Sequence, residues 1–259
     1  MSTELSLAKD LARQAGKVQL SKLGKVHEVE FKGSIDIVTE VDKECEKLIV
    51  SNIKDNFPQH DILAEEGSGQ RQASDYRWIV DPLDGTVNFA HGFPFFCVSI
   101  ALEFKGELVM GVIYDPNRDE LFAAEKSKGA SLNGSPIKVS AASLLKQSLL
   151  ATGFAYNVQE EEVLDNLDHF CDFIKTARAV RRPGSAAIDL AWVACGRIDG
   201  FWELFLKPWD MAAGAVIIRE AGGSITSFDG SAYDLYADEI LVSNGRIHQE
   251  MIEVLQEKD

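Results

Sequence analysis

Residues 78–89, WIVDPLDGTVNF, end an apolar run with two aspartates, Asp81 and Asp84, that only a proline and a leucine separate. Two carboxylates this close together are costly to bury unless a cation compensates their charge, and oxygen ligands are those that Mg²⁺ prefers. Gly85 and Thr86 follow directly and favour the start of a helix, whose free N–H groups can bind phosphate. An isolated pair at this spacing is more often a turn or a helix cap, so a metal site requires acids from elsewhere.

Further segments of the chain place acids where they could join such a site. Glu65 closes the apolar run in ILAEEG, and Asp210 falls in the first turn of the helix predicted in KPWDMAAG. Asp42 follows Thr39 at the spacing of a capping box. Taken singly, these acids are explained by a solvated strand end, a helix start and a helix cap. Only their occurrence together favours a site for hard divalent cations.

Composition bounds the class of protein and its partners. The chain has 259 residues, of which 46% are hydrophobic, enough for a large core. Its formal net charge of −15 and the lack of a basic stripe predict no nucleic-acid partner. No secretory leader or long apolar run is visible, so we expect a cytoplasmic protein without a membrane span. The scattered cysteines argue against zinc or disulfides and are expected to be buried thiols: Cys45, Cys97, Cys171 and Cys195.

The first half of the chain predicts helices packed on an antiparallel sheet. Apolar periodicity predicts helices at 3–23 and 40–56, the second beginning at the Thr39 capping box. Runs typical of strands follow at 61–64, 78–80, 95–104, 108–114 and 120–124.

The second half alternates between strands and helices, which favours a mixed α/β layer. Strands are predicted at 148–153, 198–204, 224–228 and 240–243, and helices near 160–177, from 184, at 208–220 and at the end of the chain. We place the boundary between two tightly packed subdomains, 1–143 and 144–259, in a stretch that no linker composition marks.

Several motifs together resemble the inositol monophosphatase family. These are DPLDGTVNF, the AEE before it and the PWDMAAGAVIIREAGG far downstream. FKGSIDIVTEVDKE is similar to the family's N-terminal metal loop, and RRPGSAAIDLAWVACGRIDGFWE to the substrate side of its bacterial members. The resemblance covers nearly the whole chain. It implies a layered α/β sugar-phosphatase fold and a magnesium-dependent, lithium-sensitive phosphomonoesterase that forms a homodimer.

The resemblance also implies a set of metal ligands. Glu65, Asp81 and the Leu83 carbonyl would hold a first Mg²⁺, and Asp81, Asp84 and Asp210 a second, with Asp81 bridging the two. A third, looser ion would involve Glu65 and water. The site would therefore hold two or three Mg²⁺.

Catalytic roles follow from the same resemblance. Glu65 and Thr86 would orient the water that attacks phosphorus, and Thr86 would pass a hydrogen bond to Asp42. The amides of Gly85 and Thr86 would bind phosphate oxygens. Attack is direct, without a phosphorylated enzyme, so positioning and charge stabilisation carry the chemistry.

Substrate contacts are implied mainly in the second half. The N–H groups at Gly184, Ser185 and Ala186 would meet sugar hydroxyls, and Glu203 would accept hydroxyl hydrogens. Arg181 is a further candidate, although a surface arginine before a helix explains it equally well. The complete set expected to face substrate is Leu83, Asp84, Gly85, Thr86, Arg181, Gly184, Ser185, Ala186, Glu203 and Asp210.

Two features near the motif carry weaker expectations. His91 is the one histidine close to the predicted chemistry, but a surface or packing role is expected because no partner for it is evident. The segment Lys32, Gly33 and Ser34 corresponds to a family loop over the third metal, and we expect it to become ordered when metal binds.

The expected substrate is a small phosphorylated metabolite, with myo-inositol 1-phosphate first. Histidinol phosphate, NADP and fructose 1,6-bisphosphate remain alternatives, because the scaffold does not choose among them. A different class of function also remains open, namely a regulatory protein that binds the transcription machinery, as some bacterial relatives do. The complete acid set favours the enzyme, since a protein that only binds need not keep five metal ligands.

Overall fold

The computed structural model of the protein describes residues 2–25, 29–31, 37–155 and 165–256. The predicted loop at 32–34 lies outside the described residues, as does the part of the helix predicted near 160–177 that precedes residue 165.

The described residues form seven α-helices and fourteen strands. The helices are α1 (Thr3–Lys22), α2 (Glu40–Asn56), α3 (Thr86–Ala90), α4 (Leu167–Thr176), α5 (Ala186–Ala194), α6 (Pro208–Glu220) and α7 (His248–Gln256). The strands of the first half are β1 (Val29–Phe31), β2 (Ile37–Thr39), β3 (Asp61–Ala64), β4 (Tyr76–Asp84), β5 (Cys97–Phe104), β6 (Glu107–Asp115), β7 (Glu120–Glu125), β8 (Ala130–Leu132) and β9 (Ser135–Pro136). Those of the second half are β10 (Leu149–Thr152), β11 (Ala179–Arg181), β12 (Gly200–Leu204), β13 (Ser224–Thr226) and β14 (Glu239–Ser243).

The predicted capping box at the start of α2 is confirmed. Asp42 Oδ2 accepts the Thr39 backbone N–H at 2.8 Å, and Thr39 Oγ1 accepts the Val41 N–H at 3.2 Å. These bonds satisfy donors that a helix start leaves without intrahelical partners. The cap fixes the start of α2 at the predicted residue. The helix also has the predicted end, so its bounds are 40–56.

Seven strands form the first sheet, in the order β3-β4-β5-β6-β7-β8-β9. It is antiparallel, as predicted, except that β3 and β4 run parallel, with Ala64 opposite Val80. Parallel pairing brings the carboxyl ends of both strands to the same edge of the sheet. Glu65, the residue after β3, therefore lies beside the end of β4, and its N–H donates to the Val80 carbonyl at 3.2 Å.

The second sheet is mixed, as the alternating pattern predicts. Its order is β11-β10-β12-β14-β13, with β10 parallel to both of its neighbours and the remaining pairs antiparallel.

The buried side chains divide the molecule into layers of helix, sheet, helix, sheet and helix. One core cluster joins α1 and α2 to the outer face of the first sheet, around Leu11, Ile49 and Trp78. A second fills the space between the sheets, where α5 and α6 lie, and a third packs α4 and α7 on the far face of the second sheet. This is the layered α+β architecture that the sequence predicts.

The middle layer connects the two halves of the chain. Helix α6 follows the second sheet's β12 in sequence but packs on β4, β5 and β6 of the first sheet. Ser99 Oγ on β5 donates to the Trp209 carbonyl in the first turn of α6 at 3.1 Å. One core therefore spans both halves, and the division of the chain at 143/144 stays a prediction.

Two further expectations concern exposure. Cys45 and Cys97 are buried as expected, but Cys171 is exposed on α4, so the prediction of a buried thiol was wrong there. Only Phe173 is buried on α4, which leaves most of this helix facing outward. No helix among the described residues is both long enough and apolar enough to span a bilayer.

Gly111 on β6 sets the distance between the first sheet and α6. A methyl group added there would overlap the backbone carbonyl of Ala213 in α6. We expect Gly111→Ala to lower the free energy of unfolding by roughly 1–3 kcal/mol, because neither backbone can move aside without strain. Urea denaturation measures the change.

The exposed substitution Lys126→Ala is the control, with an expected change within about 0.5 kcal/mol. Equal urea midpoints for Gly111→Ala and the unmodified protein would contradict this account of the packing.

Candidate metal centre and active-site cleft

A bulge at the end of β4 explains how Asp81 and Asp84, three positions apart, both line the same cleft. The ladder with β5 pairs Asp81 with Ser99 and next pairs Asp84 with Cys97, so Pro82 and Leu83 lie opposite the single residue Val98 and β4 has one extra residue. The Leu83 N–H donates to Asp81 Oδ1 at 2.9 Å and fixes the Asp81 carboxylate. Bulges redirect side chains in this way beside many active sites.

The structure brings Asp210 to the same place. Asp81, Asp84 and Asp210 each offer an oxygen, and these atoms lie within 4.8 Å of one another, an arrangement that could hold a metal ion. Among the described residues this is the one group of three or more acidic, histidine or cysteine side chains with such convergence. Asp210 Oδ2 also accepts the Lys207 N–H at 2.7 Å, which caps α6 and orients the carboxylate.

The mutual repulsion of these carboxylates favours either protonation or a bound cation. Burial raises the pKa of Asp81 well above its ordinary range, and the charges of Glu65, Asp84 and Asp210 raise it further. The pKa of Asp210 is raised by burial and then by Asp84 and Glu65. A set made only of carboxylate oxygens suits a hard divalent ion, so the donor chemistry fits Mg²⁺.

Glu65 lines the same cleft without belonging to the group of three. The turn that follows it is held by Glu46, a buried acid of α2 that the sequence analysis missed. Glu46 Oε2 accepts the Glu66 N–H at 2.6 Å, and Oε1 accepts the Ser68 N–H at 2.9 Å. The available signal was its spacing from Asp42, because acids four residues apart share one face of a helix.

The predicted contact between Thr86 and Asp42 is present. Thr86 Oγ1 lies 2.7 Å from Asp42 Oδ1 and 3.0 Å from the Leu83 carbonyl oxygen, and can donate to either. Asp42 is fully buried, and burial raises its pKa while its hydrogen bonds to Thr39 and Thr86 oppose the rise. The hydroxyl of Thr86 therefore has two acceptors beside the metal centre, a carboxylate oxygen and a carbonyl oxygen.

The start of α5 supports Asp84 from the second half. Ser185 Oγ donates to Asp84 Oδ2 at 2.5 Å, and the Ala187 N–H donates to the same oxygen at 2.8 Å. Ser185, predicted to meet substrate, thus orients a metal-site acid, while Gly184, Ser185 and Ala186 all line the cleft.

Asn88, which the sequence analysis missed, joins this loop to the motif. Its Nδ2 donates to the Phe95 carbonyl at 2.8 Å and to the Pro183 carbonyl at 2.9 Å. Gly184 has φ +89°, a conformation that favours glycine, and sits against the Asn88 side chain.

The cleft has a volume of about 590 Å³ and extends from the metal centre to β12. The Glu203 carboxylate on β12 packs against Gly153, and a methyl group added at Gly153 would overlap it. Burial raises the pKa of Glu203 to about 8, Asp84 raises it as well, and Arg182 opposes the rise. The predicted Glu203 thus lines the same cleft as the motif.

The expected substrate contact of Arg181 differs from the structure, whereas the surface position expected for His91 agrees with it. Of the described residues that line the cleft, Arg182 is one and Arg181 is not. Arg181 ends the edge strand β11 with an exposed side chain that donates to the Val180 carbonyl, so its alternative explanation as a surface arginine fits better. His91 is the exposed C-cap of α3 and does not line the cleft either.

Comparison with known proteins gives a consistent result. The model of the inositol monophosphatase family matches residues 1–259. Inositol-1-monophosphatase of Synechocystis sp. is 48% identical over 258 residues, covering 98% of this chain and 89% of the relative. Nus factor SuhB of Pseudomonas aeruginosa is 41% identical over 262 residues, covering 99% of this chain and 97% of the relative.

Solved structures agree with the sequence comparison. Extragenic suppressor protein SuhB of Bartonella henselae superposes with a TM-score of 0.94 at 39% identity, over 100% of both chains. An IMPase/NADP phosphatase solved with Mg²⁺ and phosphate superposes with a TM-score of 0.85 at 26% identity, over 98% of this chain and 95% of its own.

Binding of Mg²⁺ at this centre is expected to weaken as the pH falls. Because the pKa values of Asp81 and Asp210 are raised, both acids take up protons above the ordinary carboxyl range, and protons compete with the ion. Without metal, the raised pKa values of Asp81 and Asp210 stabilise the folded state at low pH, where both acids are protonated. This stabilisation is lost as the pH rises through the pKa values of the folded protein. The increase in melting temperature with Mg²⁺ should therefore be larger at about pH 8 than at about pH 5.5.

Asp61→Asn is the matched control, because Asp61 is a buried acid outside the cleft and its replacement should keep the Mg²⁺ response. An equal thermal shift at both pH values would contradict the assignment of these acids as ligands.

Proposed function

The chain belongs to the inositol monophosphatase family, and on that premise we propose that it hydrolyses myo-inositol 1-phosphate to inositol and phosphate with Mg²⁺ as its cofactor. The family match and the relatives named inositol monophosphatase identify it as a phosphatase, a hydrolase that acts on small phosphorylated compounds. The observation that carries the proposal is the convergence of Asp81, Asp84 and Asp210 within 4.8 Å at one end of the cleft.

The acids would hold two or three Mg²⁺. Asp81, Asp84 and Asp210 supply oxygens from β4 and α6, and Glu65 and the Leu83 carbonyl stand beside them. When bound, such ions offset the charge of the phosphate and of the leaving oxygen in the transition state. The same ions would allow a chain of net charge −15 to bind an anionic substrate.

Thr86 would orient the nucleophilic water. When its hydroxyl hydrogen is directed to Asp42, 2.7 Å away, or to the Leu83 carbonyl, its oxygen can accept a hydrogen bond from a water in the cleft. Asp42 keeps this geometry because its other oxygen is held by Thr39. Glu65 would accept the second hydrogen of the same water.

The reaction is then a single in-line displacement. The bond from water to phosphorus forms as the bond to the ester oxygen breaks, releasing phosphate and the alcohol. The amides of Gly85 and Thr86 would contact the phosphate oxygens, and Glu203 would accept a hydroxyl of the leaving group. Positioning by these groups supplies most of the rate enhancement.

The basic residues of the cleft favour one phosphate on a neutral polyol. Arg182 and Lys207 are the basic side chains among the described residues that line it. These two basic side chains suit inositol 1-phosphate, which has one phosphate group, better than NADP or fructose 1,6-bisphosphate, which have more phosphate groups. Histidinol phosphate also carries an ammonium group, which Arg182 would repel.

A role in transcription is the second candidate, because a relative 41% identical over 99% of this chain is named Nus factor SuhB. Replacing one metal ligand separates the two functions. Asp84→Asn should abolish hydrolysis while leaving the outer surface for protein partners unchanged, since Asp84 faces the cleft. We further propose that the protein acts in the cytoplasm as a homodimer, as the family resemblance implies.

Asp210 provides the sharpest test of the proposed hydrolase. We expect the protein to release phosphate from inositol 1-phosphate with Mg²⁺ and to stop when a chelator removes it. Asp210→Asn should lower kcat by on the order of 10²-fold, because it removes a ligand of the ion beside the leaving group. Inhibition of the residual activity by Li⁺ should also weaken, since Li⁺ is proposed to occupy that position.

Phosphate release during a Li⁺ titration gives both results, and circular dichroism checks that the variant is folded. A folded Asp210→Asn protein with normal turnover and unchanged Li⁺ inhibition, or full activity in excess chelator, would contradict the mechanism.

The role of Thr86 predicts a difference between two substitutions. Thr86→Ser keeps the hydroxyl and should retain most activity, whereas Thr86→Val keeps the shape and should lower kcat by about 10²–10⁴-fold. Single-turnover measurements of phosphate release compare them. The control is Thr176→Val, an exposed position at the end of α4. Similar losses in both Thr86 variants would mean that the methyl group, not the hydroxyl, matters.

A further inference from the structure

Asp189 is a buried acid for which the proposed reaction has no use. It lies on α5, one turn after Ser185, and its N–H donates to the Ser185 carbonyl at 3.1 Å. Its side chain is 2% exposed and lines the cleft. Among the described residues, no donor reaches its buried Oδ1.

A carboxyl group in this position is costly to the protein. More than nine-tenths of buried polar groups in proteins have a hydrogen-bond partner, and an unpartnered acid loses its hydration without compensation. Burial raises the pKa of Asp189 well above its usual range, and the charges of Glu203 and Asp84 raise it further. In either protonation state the group keeps an oxygen that can accept a hydrogen bond.

Helix α5 places Asp189 in the wall of the cleft, beyond the residues that hold Asp84. Ser185 and the Ala187 N–H hold Asp84 at the metal end of α5, and Asp189 follows one turn further along the helix. Helix α5 packs on β12, whose Glu203 lines the same cleft. The two acids therefore line the same cleft, close enough for the charge of Glu203 to act on Asp189.

We propose that Asp189 is a specificity residue that accepts a hydrogen bond from a hydroxyl group of the leaving alcohol. This hydroxyl is next to the one that Glu203 would bind. The inference rests on the proposed function and names its substrate class: phosphate esters of polyols with hydroxyl groups near the ester carbon. Such a ligand satisfies the unpartnered oxygen, and an ester without hydroxyls leaves it unpaired. Sites built this way discriminate strongly against the analogue that lacks the hydroxyl.

Two alternatives to a hydroxyl fit the surroundings less well. A metal ion would require further converging oxygens, but the group of acids within 4.8 Å of one another among the described residues contains Asp81, Asp84 and Asp210 and not Asp189. An ammonium group would be attracted by Glu203 and Asp84 but repelled by Arg182, which lines the same cleft and acts on Glu203. A neutral hydroxyl can lie between the acids and the cation without repulsion.

Asp189→Leu tests this directly, because leucine has a similar size and removes the acceptor. If the acid serves only substrate, the variant should be as stable as the unmodified protein or more stable, since an unpartnered buried polar group is replaced by an apolar one. The kcat/KM for inositol 1-phosphate should fall about 10- to 100-fold more than that for phenyl phosphate, which has no hydroxyl. Asp189→Asn, which keeps one oxygen, should show a smaller change in the ratio.

Asp61→Asn is the control for loss of a buried acid outside the cleft, and the ratio of the two substrates should not change in it. Phosphoethanolamine, which carries an ammonium in place of hydroxyls, is the third substrate. An unchanged substrate ratio in both Asp189 variants, a loss confined to phosphoethanolamine, or a large loss of stability with the ratio kept would overturn the inference alone. Absence of phosphate release by the unmodified protein from every ester would instead remove the proposed function.

Discussion

The constraint on which the structure depends is charge: three carboxylates within 4.8 Å of one another, one of them buried, cannot all stay ionised without a cation. Four local features bring them and their neighbour Glu65 together. Parallel pairing of β3 with β4 sets Glu65 beside the end of β4, and a bulge turns both Asp81 and Asp84 into the cleft. The capped start of α6 supplies Asp210 from the other half of the chain, and α5 fixes Asp84 through Ser185.

Because the ligands come from both halves, the packing between the sheets is also part of the site. Helix α6 packs on β4, β5 and β6, and Gly111 allows its backbone to approach β6 closely. A small shift of this helix would separate Asp210 from Asp81 and Asp84. Misplacement by about 1 Å is enough to reduce catalysis greatly, so the core and the chemistry constrain each other.

The sequence predicted the elements whose signals are local. The Thr39 cap predicted the start of α2, because a cap leaves a trace in neighbouring residues. The candidate acids at strand and helix ends include the three that converge, Asp81, Asp84 and Asp210. What it could not disclose depends on tertiary contacts. The parallel direction of β3, the burial of Glu46 and Asp189, and the choice of Arg182 over Arg181 follow from how distant segments meet. Motif resemblance implied a set of metal ligands, but it assigned no role to Glu46 or Asp189.

Diffraction from crystals soaked in Mn²⁺, a substitute for Mg²⁺ with a strong anomalous signal, tests the central claim most directly. The account predicts anomalous peaks among the carboxylates of Asp81, Asp84 and Asp210, lost from that position in crystals of Asp84→Asn. Peaks only elsewhere, with the three acids protonated and hydrogen-bonded to one another, would contradict it.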